Sequence, residues 1–291
     1  MNRMLRYGLV VVALTGAYVP DVTAGIFRRN PPSDQQVGQA GARPAAMSPA
    51  DAPNKATRTE LPLIWVVDGA GGLGGCSNAL TAANTLGGNR IEIAGFPWSH
   101  RHQKLLLDQI DLPYARQQGA RLAMAIRERQ MREPGRRVVV VAHSAGCAVA
   151  LAAGETLPPD AIDRMVLLAP SVSTGYDIRP AMRSAREGLD VFCSKKDWVA
   201  LGFVTRVVGT SDRAWARAAG RHGFDVATIA RQDDGELVRL RQHFWSSELA
   251  WTGHTGGHHG MHTPAFILTY LYPLFGAGEH SAMNQAANFP R

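Results

Sequence analysis

The sequence predicts an α/β architecture, a mostly parallel central sheet with helices on both faces. Three observations carry that prediction. Short apolar runs alternate with longer segments of helical period between residues 61 and 275. Val138-Val139-Val140-Val141 is an unbroken β-branched run, the pattern of a central strand covered on both faces. That run passes through a small-residue turn straight into an Ala-rich segment, the strand-to-helix step from which parallel sheets are built.

The elements follow in order. Leu63-Ile64-Trp65-Val66-Val67 is a buried-strand run closed by the glycine-rich stretch 69–75, and residues 91–96 read as a second strand. From Gln103 to Arg132 apolar residues fall at helical spacing (Leu105, Leu106, Ile110, then Leu122, Ala125, Ile126). The pattern is interrupted near Pro113 and stopped by Pro134-Gly135. After the valine run, residues 145–156 form a helix ending at Pro158-Pro159. Residues 165–169 and 189–193 are further strands, and a weaker one is expected between Phe224 and Arg231. Residues 264–275 close the domain as an apolar helix. Only about 20 residues separate the strand at 165–169 from the next, which leaves no room for a large lid there.

The folded domain is expected to span 61–280, with a tail at 281–291. Ahead of it, Arg3 and Arg6 precede an apolar run from Gly8 to Val19. A bilayer crossing takes about 20 residues, so this run suits a signal-peptide core, with Val22-Thr23-Ala24 supplying small residues for cleavage. Residues 1–24 therefore read as a signal peptide, the alternative being an uncleaved anchor. The protein reads as exported, periplasmic or extracellular, without stable membrane insertion after cleavage. Residues 25–60, rich in Pro, Ala, Gln and Ser, bury too little to offset their ordering entropy and read as a disordered tether.

A hydrophobic content of 45% and a charged content of 19% describe an ordinary globular protein. The net charge of +7 comes largely from Arg scattered along helices and tether. No nucleic-acid-binding signature accompanies it, so a solvated surface is expected and a nucleic-acid partner is not. Cys76, Cys147 and Cys193 allow at most one disulfide, and their pairing is open.

In open parallel sheets ligands bind beyond the carboxyl ends of the strands. There, directly after the valine strand, stands Ala142-His143-Ser144-Ala145-Gly146. This is a G-x-S-x-G nucleophile elbow with Ala in the first glycine place. A serine on so tight a turn needs small neighbours two residues to either side. The turn lifts the Ser144 hydroxyl above the sheet and sets the Ala145 amide at a helix start, where an oxyanion is stabilised. The competing reading is a plain serine N-cap.

Serine is a poor nucleophile without a base, and a neutral imidazole needs a carboxylate to fix its tautomer. With such an elbow the chain order is serine, acid, histidine. Asp197 follows the strand 189–193 and leads over Asp190, Asp177, Asp212 and Asp225, although a solvated loop aspartate remains the alternative. Between Gly253 and His262 four histidines precede the final helix. His258, flanked by glycines that let the loop approach the sheet, leads; His259 follows, then His262 and His254.

From about Leu61 to Phe275 the chain resembles the α/β-hydrolase superfamily, on the elbow 142–146, Asp197 after a later strand and His258 after the last. The segments Gly95-Phe96-Pro97-Trp98-Ser99-His100, Leu168-Ala169-Pro170-Ser171-Val172-Ser173 and Gly256-Gly257-His258 are similar to uncharacterised exported bacterial members, a likeness that brings no substrate with it. The resemblance implies an α/β-hydrolase fold and a serine hydrolase, an esterase- or lipase-like enzyme cleaving a small or lipid-like acyl substrate without metal or organic cofactor. It also implies a second oxyanion donor just after the first strand, at Ala70 or Gly71. Here Asp68 replaces the superfamily's usual His, and its carboxylate would oppose an oxyanion unless it is turned away or hydrogen-bonded. Trp98 and Trp198 would line an apolar acyl pocket or cover the sheet edge.

Three other classes have residues that could support them. The stretch 69–74 is literally G-x-G-x-x-G, with Glu92 near the place of a ribose-binding acid, as in a nicotinamide or flavin enzyme. Glu92 begins its strand instead of ending it, and the elbow would go unexplained. His254, His258 and His262, four apart, would converge on a metal only on a helix, which the glycines there disfavour. A non-catalytic binding protein on the same fold would leave the Ser, His and Asp set idle.

Overall fold

Strands and helices alternate as the hydrophobic pattern requires. The computed structural model describes residues 61–100, 104–197, 209–212, 216–229 and 236–276. The expected signal peptide, tether and C-terminal tail, and Trp198, lie outside the described residues. Six parallel strands, β1 (Leu63–Val67), β2 (Glu92–Gly95), β3 (Val138–His143), β4 (Arg164–Leu168), β5 (Leu189–Cys193) and β6 (Leu240–Phe244), stand in the order β2-β1-β3-β4-β5-β6. The chain thus starts near the middle of the sheet, runs to one edge, returns, and fills the other half. β3, the valine strand, is buried throughout between β1 and β4.

Side chains alternate between two cores. Val67, Val138, Val140, Met165, Leu167, Leu189 and Val191 face one side, under α3 (Leu112–Arg132) and α4 (Gly146–Thr156). Ile64, Val66, Val139, Val141, Val166, Leu168 and Phe192 face the other, under α1 (Gly75–Leu86) and the C-terminal segment. The period-two switch is what a strand covered on both sides must show. α3 and α4 pack closely because Gly119 has no side chain: a Cβ there would lie 2.6 Å from that of Ala152.

The broken helical pattern around Pro113 resolves into α2 (Leu105–Ile110) and α3, divided at Asp111, whose carboxylate caps α3 by accepting the Tyr114 N–H at 3.1 Å. The C-terminal helix winds in three styles: an α turn at Pro264–Phe266, a π turn at Ile267–Leu271 and a 3₁₀ turn at Tyr272–Phe275.

One expected strand is corrected. Val226–Ile229 is a helical turn, and the sixth strand is β6, further along. β6 is an edge strand paired only with β5, and its sequence Leu-Arg-Gln-His-Phe hides it. Its Arg241 forms an ion pair with buried Asp190 at 2.8 Å and its His243 ring a hydrogen bond to the same carboxylate at 2.8 Å, so polar residues serve as cross-strand partners in place of an apolar pattern.

Cys76, Cys147 and Cys193 are free and buried. Burial raises all three thiols, Cys76 and Cys147 well above the usual range and Cys193 to about 12. Among the described residues no helix is long and apolar enough to cross a membrane.

Candidate active site

The elbow is sterically forced. Ser144 has φ of 54°, a left-handed conformation that costs a residue with a side chain on the order of 1–3 kcal/mol. Its backbone is held there from both sides: the N–H donates to the Leu168 carbonyl at 3.0 Å, and the carbonyl accepts the Cys147 and Ser171 N–H groups at 3.1 and 3.3 Å. A Cβ at Gly146 would strike the Asp68 carbonyl and lie 2.6 Å from that of Val67, so α4 can start against β1 only with glycine at this place. Ala142, where the pattern has its other glycine, is fully buried.

The loop that carries His258 is pinned by three contacts. Ser194 Oγ donates to the Gly256 carbonyl at 2.6 Å, Trp245 Nε1 to the His254 carbonyl at 2.7 Å, and His143 Nε2 to the His258 carbonyl at 3.2 Å. These bonds bring His258 between the other two candidates. Its Nε2 lies 2.9 Å from Ser144 Oγ and its Nδ1 lies 2.5 Å from Asp197 Oδ2. Asp197 is only 2% exposed, and its N–H closes a turn onto the Ser194 carbonyl at 3.1 Å. With the proton on Nδ1 the imidazole donates to the carboxylate and accepts from the serine hydroxyl.

The other candidates are engaged elsewhere. Asp190 pairs with Arg164, Arg241 and His243, Asp212 accepts the Ser173 N–H, and Asp177 pairs with Arg179. His254 is buried and accepts the Gly256 N–H on Nδ1 at 3.2 Å; burial lowers it to about 4. His259 and His262 stand with His143 beside the His258 ring, not on the serine. Burial, then the neighbouring imidazoles, holds His143 well below the ordinary histidine range and His262 at about 3. His254, His258 and His262 do not gather around one point; the three imidazoles that do are His143, His259 and His262.

The loop after β1 settles the place of Asp68. Its carboxylate accepts the Cys76 and Ser77 N–H groups at 2.8 and 3.1 Å and the Ser77 hydroxyl, capping α1. It therefore spends its charge on a helix start, and the anion position that a dinucleotide pyrophosphate would use is already filled. Glu92, the would-be ribose acid, is instead paired with Arg129 and Arg136 at 2.9 and 2.7 Å.

Of the second-donor candidates, the Gly71 N–H is given to Asp108 Oδ2 at 2.7 Å. No acceptor among the described residues takes the Ala70 or Ala145 N–H. Asp108 also accepts Ser99 Oγ at 2.5 Å, the His100 N–H at 2.9 Å and His100 Nδ1 at 2.8 Å. This buried carboxylate ties the Gly71 loop to the segment after β2. Between them opens a cleft of about 440 Å³ lined by Phe96, Pro97 and Trp98 together with Asp68, Ser99 and the glycines at 71, 72 and 95. Trp98 is buried, with Nε1 on the Asp68 carbonyl at 2.7 Å. Sequence reasoning missed Asp108 and His143: one lies on a helix with no motif around it, the other at the variable place of the elbow.

Residues 79–273 match the alpha/beta hydrolase family. The chain belongs to that family. For an alpha/beta hydrolase the six-stranded parallel sheet and the turn at Ser144 are the expected frame. The hydrolase has no match among curated proteins. Among solved structures it is similar to Trichoderma reesei cutinase in complex with a C11Y4 phosphonate inhibitor, at 17% identity over 58% of this chain and 76% of that one, with a TM-score of 0.35. It is also similar to an uncharacterized protein from Bacillus cereus ATCC 10987, at 12% identity over 68% of this chain and 55% of that one, with a TM-score of 0.38.

Proposed function

We propose that this hydrolase is a serine esterase working through Ser144, His258 and Asp197. The single observation that carries the reading is His258, with one ring nitrogen 2.9 Å from the Ser144 hydroxyl and the other 2.5 Å from the Asp197 carboxylate. Ser144 Oγ attacks the acyl carbonyl as His258 Nε2 takes its proton. Asp197 keeps the imidazole in the right tautomer and stabilises its charged form. The oxyanion forms against the Ala145 and Ala70 amides. The tetrahedral adduct expels the alcohol, which takes the proton from Nε2. Water then attacks the acyl-enzyme by the same proton route and frees the acid.

The cleft at Phe96, Pro97 and Trp98 favours an apolar acyl group, which binds by leaving water. Esters fit this machinery better than amides because an alkoxide leaves the tetrahedral adduct more readily than an amide nitrogen does. We also infer that the enzyme is exported, on the basic start and apolar run before Val22-Thr23-Ala24.

The test is covalent labelling by a fluorophosphonate together with hydrolysis of p-nitrophenyl esters of increasing chain length. Wild type should be labelled and turn over. Ser144→Ala should lose the label and about three or more orders of magnitude of kcat. An unlabelled wild type, or an Ala variant that still turns over, would end the reading.

A further inference from the structure

We propose that His143, His259 and His262 form a binding site for one divalent transition-metal ion, of the zinc, nickel or copper class, beside the Ser144 turn. Their ligand-capable atoms all lie within 4.8 Å of one another, and the ring centroids are 4.5 to 5.4 Å apart. Three imidazole nitrogens around one zinc at about 2.0–2.1 Å stand roughly 3.4 Å apart, a closure reached by small ring rotations.

A second, separate observation points to an occupant. His262 Nε2 is buried and has no hydrogen-bond partner among the described residues. A packed, structural histidine is expected to satisfy both ring nitrogens, so an orphaned one in a group of three imidazoles wants a cation or a proton donor. No carboxylate or thiol belongs to the group, and an all-imidazole set selects borderline ions over calcium or magnesium.

Access and support are both present. His259 is exposed, so an ion can enter from solvent and keep an open coordination place for water, the arrangement of a three-histidine site. His143 is oriented by its bond to the His258 carbonyl, as metal ligands commonly are by a backbone oxygen. Gly75 leaves room beside His262, where a Cβ would lie 3.6 Å from Nδ1; His143, whose Nε2–H is given to the His258 carbonyl, has Nδ1 left for the ion. The ion would join the end of β3 to the loop that carries His258.

The experiment reads binding and not hydrolysis, so its outcome is independent of the esterase reading. The full chain, purified without a histidine tag and stripped with chelator, is titrated with Co²⁺ and Zn²⁺ by equilibrium dialysis, with the visible Co²⁺ spectrum recorded. One equivalent should bind per chain, with the absorption bands of low-coordinate nitrogen-ligated cobalt. His259→Ala, at an exposed place that leaves the core untouched, should weaken binding by about tenfold or more, and His262→Gln likewise. His100→Gln, a histidine outside the cluster, should bind as wild type does. A wild type that takes up no ion at micromolar free metal, or a His259→Ala protein that binds as tightly as wild type, overturns the proposal.

Discussion

Ser194 Oγ donates to the Gly256 carbonyl at 2.6 Å, tying the loop that carries Asp197 to the loop that carries His258. The distance between carboxylate and imidazole is therefore set by a bond in which neither takes part. Removing the charge alone should leave the frame standing.

Asp197→Asn tests that separation. The variant should fold with an unchanged melting temperature to within about 2 °C, while kcat falls by roughly 10³–10⁴ because the amide favours the wrong imidazole tautomer. Thermal melts and ester kinetics on one preparation decide it. A variant with near-normal turnover would show that Asp197 is not the orienting carboxylate.

Gly146→Ala should destabilise despite alanine's better helix propensity, worth about 1 kcal/mol. The added methyl meets two backbone carbonyls, of Val67 and Asp68, which cannot swing aside. Overpacking of this kind costs about 1–3 kcal/mol before any propensity gain. Chemical denaturation should show a lower midpoint with an unchanged slope. An equal or higher midpoint would mean that β1 yields more easily than its packing implies.

Asp108→Asn should lower kcat by about tenfold or more without touching the serine. Four donors converge on that carboxylate, from Gly71, Ser99 and His100. An amide can accept only some of them and turns its own N–H groups toward the rest. The slackened loop carries Ala70, and losing an oxyanion donor outright costs about 10²–10³. Kinetics on a short-chain ester should show the loss in kcat more than in KM; an unchanged kcat would make Asp108 a purely structural brace.

Acid should weaken the fold through His254. Burial lowers this imidazole to about 4 in the native state, against about 6.5 in an unfolded chain. Above pH 6.5 both states are neutral and the fold keeps its full stability. As pH falls below that, the unfolded chain takes up a proton that the native one refuses, so stability declines until about pH 4. His254→Asn, which keeps an acceptor for the Gly256 N–H, should give a shallower fall in melting temperature between pH 7 and 4.5. Parallel curves for the two proteins would count against it.

The turn at Ser144 was more legible in the sequence than the edge of the sheet that carries it. The elbow could be read because sterics constrain Ala142, Ser144 and Gly146 one by one, and the valine strand because burial on both faces leaves no polar position. β6 could not be read, since its Arg241 and His243 look solvated until Asp190 on the next strand is known. Among four neighbouring histidines, glycine spacing favoured His258, but only the meeting of distant loops separates it from His259 and His262. The service of Asp68 to α1 was equally hidden, because a carboxylate beside an anion site and one capping the next helix have the same sequence.

Three thiols, each sealed in the interior and each free, have a consequence for where this enzyme can mature. Its folding draws on no oxidant and waits for no disulfide isomerase. The catalytic domain should reach the same native state in a reducing cytosol as in an oxidising space beyond it. Its raised, shielded thiols offer alkylating reagents little to attack until the chain opens.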